Sequence, residues 1–313
     1  MIKKKKSREI SYAYAEILDN LYFPNNQKYF SPTKFKQLIS SKNILFQGVQ
    51  ANDSKDVYNY LIEEMHNELN DLEEVKINQN FNENQIIDQR DESAILNYFK
   101  NMHAKNFHSI LSKYLYGIYK TLTKCCNCNT MIFNYQTYNF LIFPLLEVKK
   151  YVYMFNNGNQ NFNFQNYILN LYDCFNYYQK IDFFSGPNKI HCNFCNSLQD
   201  ANYCNILYST PTILCIVLNR GKNNADFKEK FMFSAELNLS YYVDENKNMA
   251  NYYLIGVICH IGDSSMSGHF FSYCRSHKDN PWYKYNDAIV TQCNENEIFN
   301  AVTPYILFYH KYT

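Results

Sequence analysis

Apolar and polar residues alternate with two different periods along this chain, and the period changes near its middle. Val57, Leu61, Ile62, Met65 and Leu69 recur at intervals of three and four with polar residues between them, which predicts an amphipathic helix. Asp53 and Ser54 stand where an N-cap belongs. Glu63 to Asp91 is acidic and Asn-rich, and reads as a helix end followed by a mobile connection. A helical pattern resumes at Ala94 and turns strand-like by Tyr119. Beyond it, Met131 to Phe133, Phe140 to Phe143 and Tyr151 to Phe155 are short β-branched and aromatic runs bounded by turn residues, which predicts strands. Phe162 to Tyr178 has the length of one short helix. Ile213 to Leu218 is continuously apolar, as a buried strand would be. Phe231 to Phe233, Tyr252 to His260, Phe270 to Arg275, Trp282 to Tyr285 and Tyr305 to Tyr309 follow at hairpin-like spacing, with Gly256, Gly262 and Gly268 assigned to bends. Helices first and strands later predict an α+β architecture in three zones: residues 1–120, 121–204 and 205–313.

Composition narrows the function classes. Thirty Lys and Arg against 29 Asp and Glu leave a net charge of +1, without the basic footprint of a nucleic-acid binder. Aromatic residues reach 18%, far from the composition of a disordered chain. No apolar run approaches the ~18 residues of a membrane span, and the basic Met1 to Lys6 stretch is followed by no apolar signal core. The expectation is a cytoplasmic protein that binds neither nucleic acid nor membrane. Lys3 to Lys6 is either a nuclear signal or a solvated terminus. In a reducing compartment the 11 cysteines read as metal ligands or catalysts before disulfides.

Two Cys-x-x-Cys pairs stand out: Cys125 with Cys128, and Cys192 with Cys195. Such a pair puts two thiolates on one face of a tight turn, and two pairs make the S₄ set that Zn²⁺ prefers. They lie much farther apart than the ~15–20 residues of a compact zinc ribbon, so each would close its own hairpin and the metal would tie two fingers together. Ordinary buried cysteines are the alternative, and Cys126 and His191 compete for ligand positions.

Near the C-terminus, Gly268-His269 opens an aromatic strand, and Trp282 to Tyr285 leads into Asn286-Asp287. Two strands joined by a turn would set His269 beside Asp287, a base with the carboxylate that orients it.

Together these segments resemble the ubiquitin-specific proteases, the papain-like thiol deubiquitinases, over about residues 30–310. Phe46 to Val57 and Leu61 to Leu69 resemble the family's Gln-Asp-Ala-x-Glu-Phe helix and its continuation. The two Cys pairs resemble its zinc sites, and Pro211 to Arg220 its Pro-x-x-Leu-x-(Ile/Val)-x-Leu-x-Arg strand. Tyr253 to Gly262 with Gly268 to Tyr273 resembles the His box. Trp282 to Asp287 and Pro304 to Tyr309 resemble the ending. The resemblance implies a papain-like fold with a helical thumb, zinc-tied β fingers and a β palm. It implies structural Zn²⁺ on Cys125, Cys128, Cys192 and Cys195, and catalytic roles for His269, Asp287 and Asn286. Ubiquitin and ubiquitinated proteins would be the partners. The reaction would be hydrolysis of the (iso)peptide bond after ubiquitin's C-terminal tail, running between thumb and palm toward His269.

Departures accompany it. Asn52 replaces Gln, Asp56 replaces Glu, Phe270 replaces Tyr, and Gly221 stands where Phe follows the Arg. The family's nucleophile lies in an Asn/Asp-x-x-Cys box before the Gln-Asp-Ala helix, and no cysteine here precedes Cys125. The expectation is either an upstream segment that carries the thiol or a catalytically inactive ubiquitin-binding scaffold. Recruitment of Cys274 or Cys293 is disfavoured, because both lie on the palm side with His269.

Overall fold

The computed structural model describes residues 8–23, 30–48, 52–70, 82–156, 167–221, 229–244, 249–264, 267–300 and 303–312. The chain forms two compact units. One comprises residues 1–81 and 102–114, the other residues 82–101 and 115–313. The expected divisions at 120 and 204 are not boundaries between these units.

The first unit is helical. It holds α1 (Glu9–Tyr22), α2 (Thr33–Lys42) and α3 (Ser54–Leu69), the end of α4 (Glu92–Asn106) and most of α5 (Ile110–Leu115). The Asp53 side chain caps α3 by accepting from Lys55 N at 2.8 Å. From the far end of α3, the Glu68 carboxylate accepts from the Ile10 and Ser11 amides at 3.0 and 2.7 Å. A carboxylate there satisfies orphan donors at the positive end of α1. His66 Nδ1 lies 2.6 Å from Ser109 Oγ, and its ring stacks on Phe107, which also stacks on the His103 ring at 4.7 Å.

The second unit carries the sheets. Its strands are β1 (Gly117–Cys125), β2 (Met131–Tyr138), β3 (Leu141–Pro144), β4 (Leu169–Asn170), β5 (Asp182–Phe184), β6 (Ile190–Cys192), β7 (Ser197–Gln199) and β8 (Ala201–Ser209). They continue with β9 (Ile213–Asn219), β10 (Phe231–Met232), β11 (Glu236–Asn238), β12 (Asn251–Ser264), β13 (Ser267–Cys274), β14 (Trp282–Asn286), β15 (Ile289–Cys293) and β16 (Pro304–Tyr312). One sheet runs β2-β1-β8-β5, and β6 pairs with β7 as a separate hairpin. The largest sheet runs β15-β14-β13-β12-β16-β9-β3, with β11 added on β12. Next to its β3 edge lies the apolar β9, where Leu214 to Leu218 are fully buried. The core continues through Phe143, Tyr252, Leu254 and Tyr309 into two helices, α6 (Leu145–Asn156) and α7 (Leu171–Tyr178).

Two expectations need correction. Tyr151 to Phe155 is not a strand but the end of α6. Leu145, Val148 and Val152 are buried at helical spacing, and packing that face outweighs the β propensity of the run. Gly256, Gly262 and Gly268 lie inside β12 and β13 rather than at bends, and a register shift between Leu254 and Gly256 places the first at a bulge. The predicted helix from Phe162 begins at Leu171 among the described residues. Residues 162–166 lie outside them, as do 71–81 of the predicted mobile connection. The rest of that connection is held: Gln89 O accepts from Phe133 N of β2 at 3.1 Å, and the Arg90 guanidinium lies 4.7 Å from the centre of the Phe194 ring.

Candidate active site and metal centre

The strand β1 ends on Cys125, and the chain turns through Cys126 and Asn127 to Cys128. Asn129 follows at φ +58°. The turn closes with Asn129 N donating to Cys125 O and Cys125 N to Thr130 O, both at 3.0 Å. The second turn repeats the design between β6 and β7, with Asn196 at φ +51° after Cys195. Asparagine is among the few residues that tolerate this left-handed backbone, so each knuckle is closed by a residue suited to it.

The two knuckles meet. Sγ of Cys125 and Cys195 are 3.9 Å apart, those of Cys128 and Cys192 are 3.7 Å apart, and all four lie within 4.8 Å of one another. Disulfide sulfurs would be ~2.05 Å apart, and none of the 11 cysteines forms a disulfide. A tetrahedron of Zn–S bonds of ~2.3 Å has edges of roughly 3.8 Å, so the tetrad has the size and donor chemistry for zinc. The Thr130 hydroxyl and amide favour the Cys128 thiolate and hold that thiol down at about 6. The Asn127 amide reaches Cys195 Sγ at 3.3 Å. Neither competitor belongs to the tetrad: Cys126 is exposed and uses its amide on Asp200 O, while His191 Nδ1 faces Asn193 Oδ1 at 3.3 Å.

The second constellation lies on the β13 and β14 strands. Tyr273 pairs with Lys284, so by alternation His269, Phe271 and Tyr273 share a face with Lys284 and Asn286. His269 Nε2 lies 2.5 Å from Asn286 Oδ1 and 3.7 Å from Asp287 Oδ2. Alternation alone would turn Asp287 to the opposite face. It instead occupies the first position of the two-residue turn between Asn286 and Ile289, at φ +50°, and that backbone brings its carboxylate back to the imidazole. With Nε2–H donating to Asn286, the Nδ1 lone pair becomes the basic site. Among the described residues Nδ1 has no hydrogen-bond partner. Asn286 Oδ1 is thus the nearer acceptor and the Asp287 carboxylate the outer charge.

Beneath this loop lies His260, buried, its ring 4.5 Å from Phe270 and packed against Gly268. Its amide donates to Thr303 O at 3.1 Å, and the Thr303 hydroxyl donates to its carbonyl. Arg220, which ends the Pro211 to Arg220 segment, is buried and donates to Pro304 O at 2.9 Å and Glu229 O at 2.5 Å. Burial lowers its guanidinium to about 10. It ties β9 to the start of β16. The sequence reading missed Thr130, whose position after the knuckle was its signal, and the strand β15, whose Ile-Val-Thr run was.

Comparison with known proteins bears on the family and the fold. The profile of one family, UCH, ubiquitin carboxyl-terminal hydrolase, matches residues 1–309. Among solved structures, the chain is similar to one of the SAGA DUB module Ubp8/Sgf11/Sus1/Sgf73 bound to monoubiquitin. The TM-score is 0.70 at 17% sequence identity, over all of this chain and 60% of that one. The chain therefore spans less than two thirds of the length of that relative. Among the described residues, no helix is long and apolar enough to cross a membrane.

Proposed function

Because this chain belongs to the ubiquitin carboxyl-terminal hydrolase family, with the fold of a ubiquitin-specific protease catalytic domain, we propose that it recognises ubiquitin and serves thiol-dependent hydrolysis of (iso)peptide bonds at the ubiquitin C-terminus. The single observation that carries this reading is the His269–Asn286–Asp287 cluster. His269 Nδ1 takes the proton of a cysteine thiol, and the imidazolium is stabilised through Nε2–H by Asn286 Oδ1 and the Asp287 carboxylate. The thiolate adds to the carbonyl carbon of ubiquitin's last residue. Collapse expels the substrate amine, which takes the proton from His269 and leaves a thioester. His269 then deprotonates water, which cleaves the thioester and restores the thiol.

The cysteines of this chain begin at Cys125, after the helix that the family's nucleophile box precedes, and none of them matches that box in position. Cys125, Cys128, Cys192 and Cys195 hold structural zinc, which supplies folding energy to the fingers.

An electrophile-tipped ubiquitin tests the reading on the complete gene product. Covalent labelling that disappears on His269→Ala supports it; absence of both labelling and ubiquitin binding overturns it. The lack of any cysteine in residues 1–124 favours a second reading, a ubiquitin-binding scaffold without activity. Binding without labelling selects that reading. The nucleotide sequence before the Met1 codon separates the two most cheaply, since an in-frame Asn-x-x-Cys favours the enzyme and a stop codon the scaffold.

A further inference from the structure

The large sheet ends on β15, and that edge is open. Asn286 and Ile289 flank a two-residue turn and pair with each other, which makes them a hydrogen-bonded pair. Alternation then makes Lys284 with Thr291 and Trp282 with Cys293 hydrogen-bonded pairs too. Tyr285 with Val290 and Tyr283 with Gln292 are the non-bonded ones. The amides and carbonyls of Val290 and Gln292 therefore point away from the sheet, and among the described residues no backbone group pairs with them. Ile289 to Gln292 are exposed, Ile289 by 65% and Val290 by 53%. Natural edges are commonly blunted by charge, proline or cover. β15 is Ile-Val-Thr-Gln-Cys, with none of these.

Its position suggests the occupant. The strand starts one residue after Ala288, in the hairpin that holds Asn286 and Asp287 against His269. In isopeptide hydrolysis the amine released at His269 belongs to a lysine, and the hairpin that touches His269 lies beside the path of the chain bearing that lysine. A segment added to β15 would run one strand spacing, ~4.8 Å, beyond it. Both ends of the edge are acidic: Asp287 is 80% exposed on one side, and α8 (Glu295–Phe299) brings Glu295 and Glu297 on the other. Arg275 engages Glu295, Asp287 faces His269 and Glu297 caps its own helix through Asn294 N, yet Asp287 and Glu297 both stay exposed and keep these ends negative.

Resting on the ubiquitin reading, we infer that β15 is a docking edge for the modified protein: an extended, lysine-bearing segment adds to Ile289–Cys293 as a further strand and so presents its isopeptide bond to His269. Main-chain bonds to Val290 and Gln292 supply affinity with little sequence demand, and the acidic ends favour basic segments.

The probe is ubiquitin joined through its C-terminus to the lysine of an extended Val/Thr/Lys decapeptide, compared with ubiquitin alone on the full chain. The conjugate is expected to bind about tenfold tighter. N-methylation of alternate peptide amides should remove that gain in one register and not in the other. Gln292→Pro, which deletes an outward N–H at an edge position where proline is tolerated, should remove the gain and leave ubiquitin binding unchanged. Equal binding of the two ligands overturns the docking edge while the ubiquitin reading stands. Failure of ubiquitin itself to bind overturns both. A dimer of the free chain that Gln292→Pro dissociates overturns it in favour of a second copy on the same edge.

Discussion

A Cβ placed on Gly268 would lie 2.3 Å from Cε1 of His260 and 2.5 Å from the carbonyl oxygen of Ile261, so the residue before His269 must be glycine for His260 to stay where it is. One of those neighbours is backbone and the other a buried ring, and neither yields cheaply. Gly268→Ala is expected to cost about 1–3 kcal/mol of stability and to lower the rate of ubiquitin-probe labelling by roughly 10²-fold through misplacement of His269. Thermal unfolding and labelling kinetics on the complete gene product check the two effects. Unchanged labelling would show that the packing does not set the position of His269.

Asn286 and Asp287 should separate in their effects. Asn286→Ala removes the acceptor 2.5 Å from His269 Nε2, whereas Asp287→Ala removes a charge at 3.7 Å that is mostly exposed. We expect the first substitution to slow labelling by roughly 10²-fold or more and the second by roughly tenfold or less. The reverse order would make the carboxylate the orienting group.

Metal content tests the tetrad. Purified protein should carry one zinc ion, and Cys128→Ser or Cys192→Ser should release it. A Tm well below that of the parent should follow, because metal binding at such sites is folding free energy. Elemental analysis and calorimetry read both quantities. A metal-free parent of equal stability would remove zinc from the fold.

Lys120 offers a prediction about stability alone. Its side chain is 10% exposed and bridges Glu92 at 3.0 Å and Asp244, while Glu92 also accepts from the Tyr135 hydroxyl at 3.0 Å. Lys120→Met leaves two carboxylates without their cation. Both are about two-fifths exposed, so solvent limits the loss to about 1–2 kcal/mol. Urea unfolding measures it.

Acid sensitivity follows from His103. Burial lowers its pKa below the usual 6.5, and the nearby His108 and His66 add to the effect. The folded state thus binds the proton more weakly than the unfolded one, and the unfolded state carries more protons below pH 6.5. The neutral ring's contribution is complete above that pH and is lost as the pH falls toward the folded-state value. His103→Gln should flatten this part of the stability profile, measured by urea unfolding between pH 7 and 5.

Much of the architecture was legible because the signals were local. The Asp53 cap, the apolar run of β9 and the two Cys-x-x-Cys turns depend on neighbours a few residues away. The pairing of His269 with the Asn286 hairpin was legible through strand spacing. What misled was context. Tyr151 to Phe155 has strand-forming residues yet completes a helix, because Val148 and Val152 find the core. The approach of the Asp287 carboxylate to His269 rests on a single positive φ, which no pattern of apolar residues encodes. Glu68 as a remote cap for α1 needed the third dimension altogether.

The pair of contacts made by Gln89 and Arg90 reaches further than a surface clasp. Phe194 sits between two of the four thiols, Cys192 and Cys195, and a zinc ion on the tetrad would stiffen the backbone it shares with them. When chelation loosens that loop, the guanidinium loses its platform, and the tether that leads two residues later into α4 slackens with it. A chelator added at the fingertips should therefore speed amide exchange in the first turn of α4 as well, the expected sign that a zinc-bound tetrad governs how firmly a distant helix is moored.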